Sequence, residues 1–154
     1  MFRIRLLWIG KPRERYVEDG VSLYLRKLRP YAPVECEELR SSRSSTPERR
    51  MREETELLLS KLDPGQPCVV LDERGKRQTS LEFSHWLEAQ LPLGWSRLTF
   101  VVGGSHGMVR ELFPNEIQWL RISDLTLNHQ MVRLVLLEQI YRAFTILRGE
   151  PYHH

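Results

Sequence analysis

Two short segments in the last third of the chain have residue types and spacing that suit ligand binding. The first is residues 103–107 (GGSHG), which follow the β-prone run of residues 98–102. Paired glycines after a buried strand let the backbone approach a ligand closely, because no Cβ stands in the way. The segment lacks the G-x-G-x-x-G spacing of dinucleotide loops, and the chain has no G-x-x-x-x-G-K-[ST] phosphate loop. A tight strand-to-helix turn without a ligand is the alternative.

The second segment is residues 122–128 (ISDLTLN), a mixture of apolar and polar residues too short for a standard element. Such a segment can offer backbone groups to the edge of an adenine ring and apolar side chains to its faces. In an open α/β sheet, ligands bind beyond the carboxyl ends of the strands. That rule selects the residues after Leu71, the pair Gly103 and Gly104, and residues 122–127. It predicts that the three places meet in one cleft.

Side chains near the C-terminus are candidates for chemistry. His129 lies at the start of the last helical pattern, and Tyr152, His153 and His154 end the chain after Pro151. Imidazole exchanges a proton near neutral pH, and tyrosine combines an aromatic ring with a hydroxyl group that can form hydrogen bonds. The alternatives are that His129 caps its helix and that the last two histidines are the remains of a purification tag.

Three further side chains have both a chemical and a structural interpretation. Arg142 can supply a cation at a reaction centre, or it can form a weak surface pair with Glu138 one turn earlier. His106 lies in the glycine turn and can approach a ligand, whereas His85 lies within a helix and is expected to be structural. A metal-dependent hydrolase has little support, because no H-x-x-x-H or paired-carboxylate spacing accompanies the late histidines. We expect no metal site.

Alternating strands and helices must position these residues. Apolar, β-prone runs predict strands at about residues 2–9, 33–39, 68–71, 98–102 and 119–122. Helical spacing predicts helices at about 17–28, 47–62, 80–90 and 129–147, with Thr46 as a possible N-cap and Pro47 in the first turn of the second. The sequence predicts an α/β fold, a mostly parallel sheet with helices on both faces, forming one domain over residues 1–154. The second strand is more polar and is expected near a sheet edge.

The composition narrows the class of protein. No apolar run of the 154 residues approaches the roughly 18 needed to cross a bilayer. The N-terminus carries charges within its first apolar stretch, which is unlike a signal peptide. Cys36 and Cys68, the only two cysteines, are expected to be buried free thiols. These features favour a cytoplasmic protein.

Basic residues are concentrated in the first third of the chain, although the net charge is only +3. Arginine outnumbers lysine, and its planar fork suits phosphate recognition. Solvated helix faces balanced by glutamates are an equally good interpretation. The residues concerned are Arg3, Arg5, Lys11, Arg13, Arg15, Arg26, Lys27, Arg29, Arg40, Arg43, Arg49, Arg50 and Arg52.

The last predicted helix has an apolar sector wider than one packing face requires. A homodimer that covers part of this sector is one expectation, and burial beneath the N-terminal segments is the other. The sector consists of Val132, Leu136, Leu137, Ile140, Ala143, Phe144 and Leu147.

Four motifs together resemble one known family. They are residues 100–107 (FVVGGSHG), 125–133 (LTLNHQMVR), 137–143 (LEQIYRA) and the ending 149–154 (GEPYHH). In length, strand order and motif order the chain resembles the ribosomal RNA large subunit methyltransferase H family, the small members of the SPOUT class. The likeness is most specific from Leu98 onward and loose between Pro30 and Gln66.

The resemblance implies a Rossmann-like fold whose C-terminal segment forms a trefoil knot, which the usual rule against knots would not predict. It also implies a homodimer that uses S-adenosyl-L-methionine to methylate N3 of a pseudouridine in 23S rRNA of the assembled ribosome, with no DNA or membrane partner. The family's cofactor pocket then maps onto Leu71, Gly103, Gly104, Ile122, Ser123, Asp124, Leu125, Thr126 and Leu127. A non-catalytic ribosome-binding factor with the same fold is the alternative.

The chemistry that the resemblance implies requires little from the protein. A sulfonium is already an activated methyl donor, so the protein supplies binding, orientation and electrostatics. The N3 imide becomes a nucleophile when its proton leaves, which a base and a cation would assist. The candidates for these roles are His129, Arg142, Tyr152, His153 and His154.

Overall fold

A computed structural model describes residues 2–91 and 94–154. Five strands form one sheet in the order β2-β1-β4-β3-β5, and every strand pair is parallel. The predicted α/β class and the edge position of the second strand are therefore confirmed. The elements in chain order are β1 (Arg3–Ile9), α1 (Arg15–Leu28), β2 (Val34–Leu39), α2 (Pro47–Ser60), β3 (Cys68–Arg77), α3 (Ser80–Gln90), β4 (Arg97–Val102), a short 3-10 helix (Arg110–Leu112), β5 (Gln118–Arg121) and α4 (His129–Leu147).

The helices cover both faces of the sheet, as predicted, but unequally. Helices α1, α3 and α4 pack on one face, where the alternate β1 residues Ile4, Leu6 and Trp8 are fully buried. Helix α2 covers the other face together with residues 108–113, and Leu7 and Ile9 point there. Burial of successive residues on opposite faces leaves β1 with almost no exposure, as expected for a central parallel strand.

Local sequence explains where the helices begin. Thr46 accepts a hydrogen bond from the Arg49 backbone N–H at the start of α2, and Pro47 occupies the first turn. Thr79 forms a capping box with Glu82 at α3. The Asn128 side chain accepts from the backbone N–H groups of Gln130 and Met131, so Asn128, and not His129, caps α4.

Strand β3 is longer than predicted, because it resumes after the polar turn. Leu71 and Lys76 both pair with Leu120 of β5, so residues 72–75 bulge out between them. A Cβ on Gly75 would lie 2.5 Å from the Leu120 carbonyl carbon, and only glycine permits this approach. The bulge projects residues 72–74 over the carboxyl edge of the sheet.

The segment between β5 and α4 crosses that same edge. It leaves β5 at one side of the sheet, and the first turns of α4 contact the end of β1. The fully buried Arg133 donates hydrogen bonds to the carbonyls of Ile9 and Gly10, and its guanidinium lies 4.8 Å from the ring centroid of Trp8. Residues 122–128 are therefore held across the ends of β3 and β4.

Candidate active site

A cleft of about 970 Å³ opens at the carboxyl edge of the sheet. It lies where residues 72–74, residues 103–108 and residues 121–129 meet, which are the three places that the strand-end rule selects. The predicted cofactor residues on its wall are Leu71, Gly103, Gly104, Ile122, Ser123, Leu125, Thr126 and Leu127.

Asp124 is the one predicted cofactor residue that does not line the cleft. Its carboxylate forms ion pairs with Arg77 at 2.6 Å and with Arg121 at 3.3 Å. These pairs connect Asp124 to the ends of β3 and β5. The neighbouring Leu125 is 77% exposed although it lies on the cleft wall, so an apolar surface at the mouth is left uncovered.

Protein atoms pack closely beneath the glycine pair. A Cβ on Gly104 would lie 2.6 Å from Glu54 Oε1 and 3.3 Å from Ile9, and a Cβ on Gly103 would lie 2.8 Å from the Met108 side chain. A side chain at either position would therefore have to displace protein atoms that pack beneath it. Buried Glu54 is a part of this floor that the motif analysis missed.

Acidic side chains border the opposite wall. The Asp72 carboxylate accepts a hydrogen bond from the Arg74 backbone N–H at 2.8 Å, and Arg110 Nη1 lies 3.9 Å away. Glu73 lines the cleft beside them. The cleft thus combines apolar walls, exposed backbone and carboxylates.

His129 is the only member of the predicted catalytic set that lines the cleft. The amide nitrogen of Gln130 lies 3.2 Å from His129 Nε2 and 3.4 Å from the Lys11 carbonyl oxygen. An amide N–H donates to both, so Nε2 accepts and the ring proton lies on Nδ1. Burial lowers the pKa of His129, and the charges of Arg133 and Arg13 lower it further, which favours the neutral ring.

The other predicted catalytic residues lie at the far end of α4. Glu138 Oε1 accepts hydrogen bonds from Arg142 Nη2 at 2.6 Å and from the Tyr152 hydroxyl at 3.0 Å. Arg142 Nη1 lies 3.1 Å from His153 Nδ1, and the guanidinium lies 4.7 Å from the Tyr152 ring centroid. We call Glu138, Arg142, Tyr152 and His153 the tail cluster. The structure therefore contains the pair between Arg142 and Glu138 that the sequence analysis gave as the structural interpretation of Arg142.

The tail has further anchors. The Tyr152 and Tyr141 ring centroids are 4.9 Å apart in an edge-to-face arrangement. The Tyr31 hydroxyl donates to Glu150 Oε2 at 2.6 Å, and Arg148 Nη2 donates to the Pro30 carbonyl. His154 is exposed beyond these contacts. Residues 148–152 are thus packed against α4 and against the residues that follow α1.

One chain does not bring the two parts of the predicted catalytic set together. His129 and Arg142 are 13 residues apart on one helix, which corresponds to about 20 Å at 1.5 Å per residue. His106 lies in the cleft, 3.3 Å from the Ser105 hydroxyl, and His85 is exposed on α3. No group of three or more potential metal ligands occurs within residues 2–91 and 94–154.

The thiols are free, as predicted, although both cysteines are half-buried and not fully buried. Cys36 and Cys68 form no disulfide, and burial raises the pKa of each to about 12. In the part of the chain that the structure describes, no helix has the length and apolar character to cross a membrane.

The apolar sector of α4 is covered largely within the chain itself. Leu136, Leu137, Ile140, Ala143 and Phe144 are buried against the sheet and the flanking helices. The alternative of burial within the chain therefore accounts for most of the sector, and its width alone does not indicate a second chain.

Comparisons with known proteins agree with this geometry. The sequence profile described as Predicted SPOUT methyltransferase matches residues 2–153. The chain is 40% identical over 152 residues to the ribosomal RNA large subunit methyltransferase H of Trichlorobacter lovleyi, covering 99% of both proteins. It is 37% identical to the protein of that name from Bacteroides fragilis, covering 97% of both.

Solved structures support the same fold. A probable methylase family protein from Haemophilus influenzae Rd KW20 has a TM-score of 0.53 at 12% identity, over 99% of this chain and 70% of that one. The crystal structure of a hypothetical protein has a TM-score of 0.58 at 16% identity, over 95% of this chain and 68% of that one. With relatives this similar along almost its whole length, the chain belongs to the ribosomal RNA large subunit methyltransferase H family of SPOUT methyltransferases.

Proposed function

We propose that this protein transfers the methyl group of S-adenosyl-L-methionine to N3 of a pseudouridine in 23S rRNA of the assembled ribosome, and therefore works in the cytoplasm. The observation that carries the proposal is the convergence of Leu71, Gly103 and residues 122, 123 and 125–127 on one cleft. The family relationship and the names of the relatives support the substrate.

The residues of the cleft fit this cofactor. The apolar surface that an adenine ring would occupy is supplied by Leu71, Ile122, Leu125 and Leu127. Leu125 is the most exposed of them, so it would bury the most apolar surface when the ring binds. The backbone of residues 122–127 offers groups to the ring edge. The carboxylates of Asp72 and Glu73 suit a ligand with a positive charge and hydroxyl groups. When bound, the cofactor supplies an already activated methyl group.

His129 suits the task of holding the substrate base beside the cofactor pocket. Its ring is kept neutral, and Gln130 fixes the tautomer that leaves Nδ1–H free to donate. A neutral donor can orient a uracil carbonyl without adding a charge to the cleft. Removal of the N3 proton then requires a base, and stabilisation of the resulting anion requires a cation. Within one chain, the candidates are in the tail cluster.

We therefore propose a homodimer in which the tail of one subunit completes the cleft of its partner. In a two-fold dimer with α4 helices that cross antiparallel near their midpoints, each tail lies beside the partner's cleft. Exposed apolar residues on α1 support a dimer interface here. Tyr16 and Leu23 are 55% and 39% exposed. They flank Gly20, which packs against Leu134 of α4. Arg142 would then stabilise the N3 anion, while His153 or His154 takes the proton and Tyr152 stacks on the base.

We also propose the trefoil knot of the family. The family relationship supports it, and so does the course of residues 122–128, which run from the end of β5 to a helix whose Arg133 is hydrogen-bonded to the end of β1.

The test is methyl transfer to ribosomes from cells that lack this enzyme. With radiolabelled S-adenosyl-L-methionine, we expect label in 23S rRNA of intact ribosomes and none in protein-free 23S rRNA. Mass spectrometry of the digested RNA should assign the methyl group to a pseudouridine. Ribosome binding without cofactor binding or label would contradict the proposal and favour the non-catalytic factor.

A further inference from the structure

The side of the cleft formed by the ends of β1 and β2 carries four cations without protein counterions. They are Lys11, Arg13, Arg40 and Arg43, which we call the basic rim. All four are exposed. Among residues 2–91 and 94–154, none of these side chains forms an ion pair or a hydrogen bond.

Contacts in the structure place the basic rim beside the cleft. The Arg13 backbone N–H donates to Gln130, the same side chain that holds His129. The Gly10 N–H donates to the Leu39 carbonyl at 2.6 Å, which brings the residues after β1 and β2 together. The loop that follows is joined to the floor beneath Gly104, because Glu54 accepts from the Ser42 N–H at 2.8 Å.

The opposite side of the cleft has as many cations, but they are neutralised. Arg74 and Arg110 lie near Asp72, and Arg77 and Arg121 pair with Asp124. Glu73 and Glu111 also line this side, so four carboxylates balance the four arginines. The positive potential is therefore concentrated on the β1–β2 side. Paired arginines fix loops, whereas four unpaired cations in one region repel each other until an anion reaches them.

The loop that carries Arg40 and Arg43 is held firmly. Glu53 accepts from the hydroxyls of Ser42 and Ser44, and Arg50 Nε donates to the Ser44 carbonyl. Hydrogen bonding to these two serines lowers the pKa of Glu53, so the carboxylate stays ionised. A loop ordered before binding loses little conformational entropy when a ligand contacts it.

We infer that the basic rim binds the phosphate backbone of the RNA hairpin that delivers a base into the cleft. This inference rests on the proposed function. Chemistry on a base requires it to leave the stack while its backbone stays outside the pocket. A row of cations at the mouth suits that backbone, because phosphate contacts supply much of the affinity for RNA and arginine forks match phosphate oxygens. The neutralised side of the cleft is left to the cofactor.

The experiment compares two variants of equal charge. In the rim variant Lys11, Arg13, Arg40 and Arg43 are all replaced by Gln. In the control variant Arg3, Arg52, Lys61 and Lys76 are replaced by Gln, which removes four exposed cations elsewhere on the surface. Three of these form surface ion pairs whose loss costs little stability. Affinity for ribosomes that lack the modification is measured against salt concentration, and cofactor affinity by calorimetry.

We expect the rim variant to bind ribosomes at least about tenfold more weakly, with a salt slope reduced by about one for each side chain that contacts a phosphate. Its cofactor affinity and dimer mass should match those of the wild type, and the control variant should keep the wild-type slope.

Equal slopes for both variants, or a rim variant with altered dimerisation and unaltered ribosome affinity, would overturn the inference. Wild-type protein that neither binds nor methylates ribosomes would instead refute the proposed function. The two failures are therefore distinguishable.

Discussion

The two ends of α4 differ in how their polar groups are satisfied. At its N-terminal end, His129 and the backbone of residues 122–127 face an open cleft, and Leu125 lies uncovered at the mouth. At its C-terminal end, Glu138 accepts from both Arg142 and Tyr152, so the tail cluster is already paired. The comparison indicates that the cleft is open to a ligand, whereas the tail cluster would have to exchange internal partners before it could take the role proposed for it.

The strongest test of this difference removes the tail. Deletion of residues 152–154 should lower methylation of ribosomes by about 100-fold or more, since positioned groups of this kind contribute at least that much to catalysis. Cofactor affinity and dimer mass should not change, because none of the residues that line the cleft lies in the tail. Steady-state methylation and calorimetry measure the two effects. Loss of cofactor binding would place the tail in the cofactor pocket instead.

Mixing two inactive variants shows which chain supplies the tail. Chains that lack residues 152–154 are combined with full-length His129→Ala chains under conditions in which subunits exchange. In a dimer with shared sites, each mixed dimer holds one complete site, so random exchange restores about a quarter of wild-type activity. Sites contained within one chain would give no recovery.

The uncovered leucine offers a narrower test of the cleft. Leu125→Ser should weaken S-adenosyl-L-methionine binding about tenfold, because covering a leucine side chain contributes about 1.5–3 kcal/mol and the partly open site retains some of it. The matched control is Leu81→Ser, which removes a 48% exposed leucine on α3 outside the cleft. The two variants should have the same stability to urea. A cofactor affinity that Leu125→Ser leaves unchanged would remove the apolar mouth from the adenine site.

Beneath the cleft, the expected effect is on stability and not on cofactor affinity. Gly104→Ala places a Cβ 2.6 Å from Glu54, and we expect it to reduce the free energy of unfolding by about 1–3 kcal/mol. Gly103→Ala meets only the flexible Met108 side chain at 2.8 Å and should cost less. Urea denaturation measures both. Equal losses in the free energy of unfolding would mean that the Glu54 side chain beneath Gly104 moves aside as easily as the Met108 side chain does.

Local sequence patterns determined most of the fold. Helix α4 begins and ends where helical spacing predicts, and Thr46 with Pro47 starts α2 as expected. The bulge in β3 could not be foreseen, because it depends on the close approach of Gly75 to Leu120, which are distant in sequence. A boundary follows from neighbouring residues, whereas a bulge follows from what packs across from it.

The candidate site, like the fold, could be predicted only in part from the sequence. The strand-end rule located the cleft, since all parallel strands present their carboxyl ends at one edge. Glu54 was missed although it lies one turn from Met51 and Leu58 on the inner face of α2, because a glutamate is expected to be exposed. The distance between His129 and the tail was hidden for another reason: motifs that are close in sequence order need not meet within one chain.

The smallest expected effect concerns how the tail is held. Tyr31→Phe removes the hydroxyl that donates to Glu150 at 2.6 Å and keeps the ring that stacks on Phe144 at 5.5 Å. An exposed hydrogen bond of this kind contributes at most about 1 kcal/mol, so methylation should fall no more than about fivefold while cofactor affinity stays constant.

The pH dependence of the activity difference between the wild type and Tyr31→Phe is a further check. The hydrogen bond to Glu150 raises the pKa of Tyr31 to about 12, above its ordinary value of 10.0. Because the pKa is raised, the stabilisation that this hydrogen bond provides is fully present below pH 10.0 and is lost as the pH rises toward 12. The ratio of wild-type to Tyr31→Phe activity should therefore be constant between about pH 6 and 9. Glu150→Gln keeps an acceptor oxygen, so its methylation activity should lie between those of the wild type and Tyr31→Phe. A Tyr31→Phe variant that loses cofactor affinity, or an activity ratio that changes across this pH range, would contradict the assignment of Tyr31 to the tail alone.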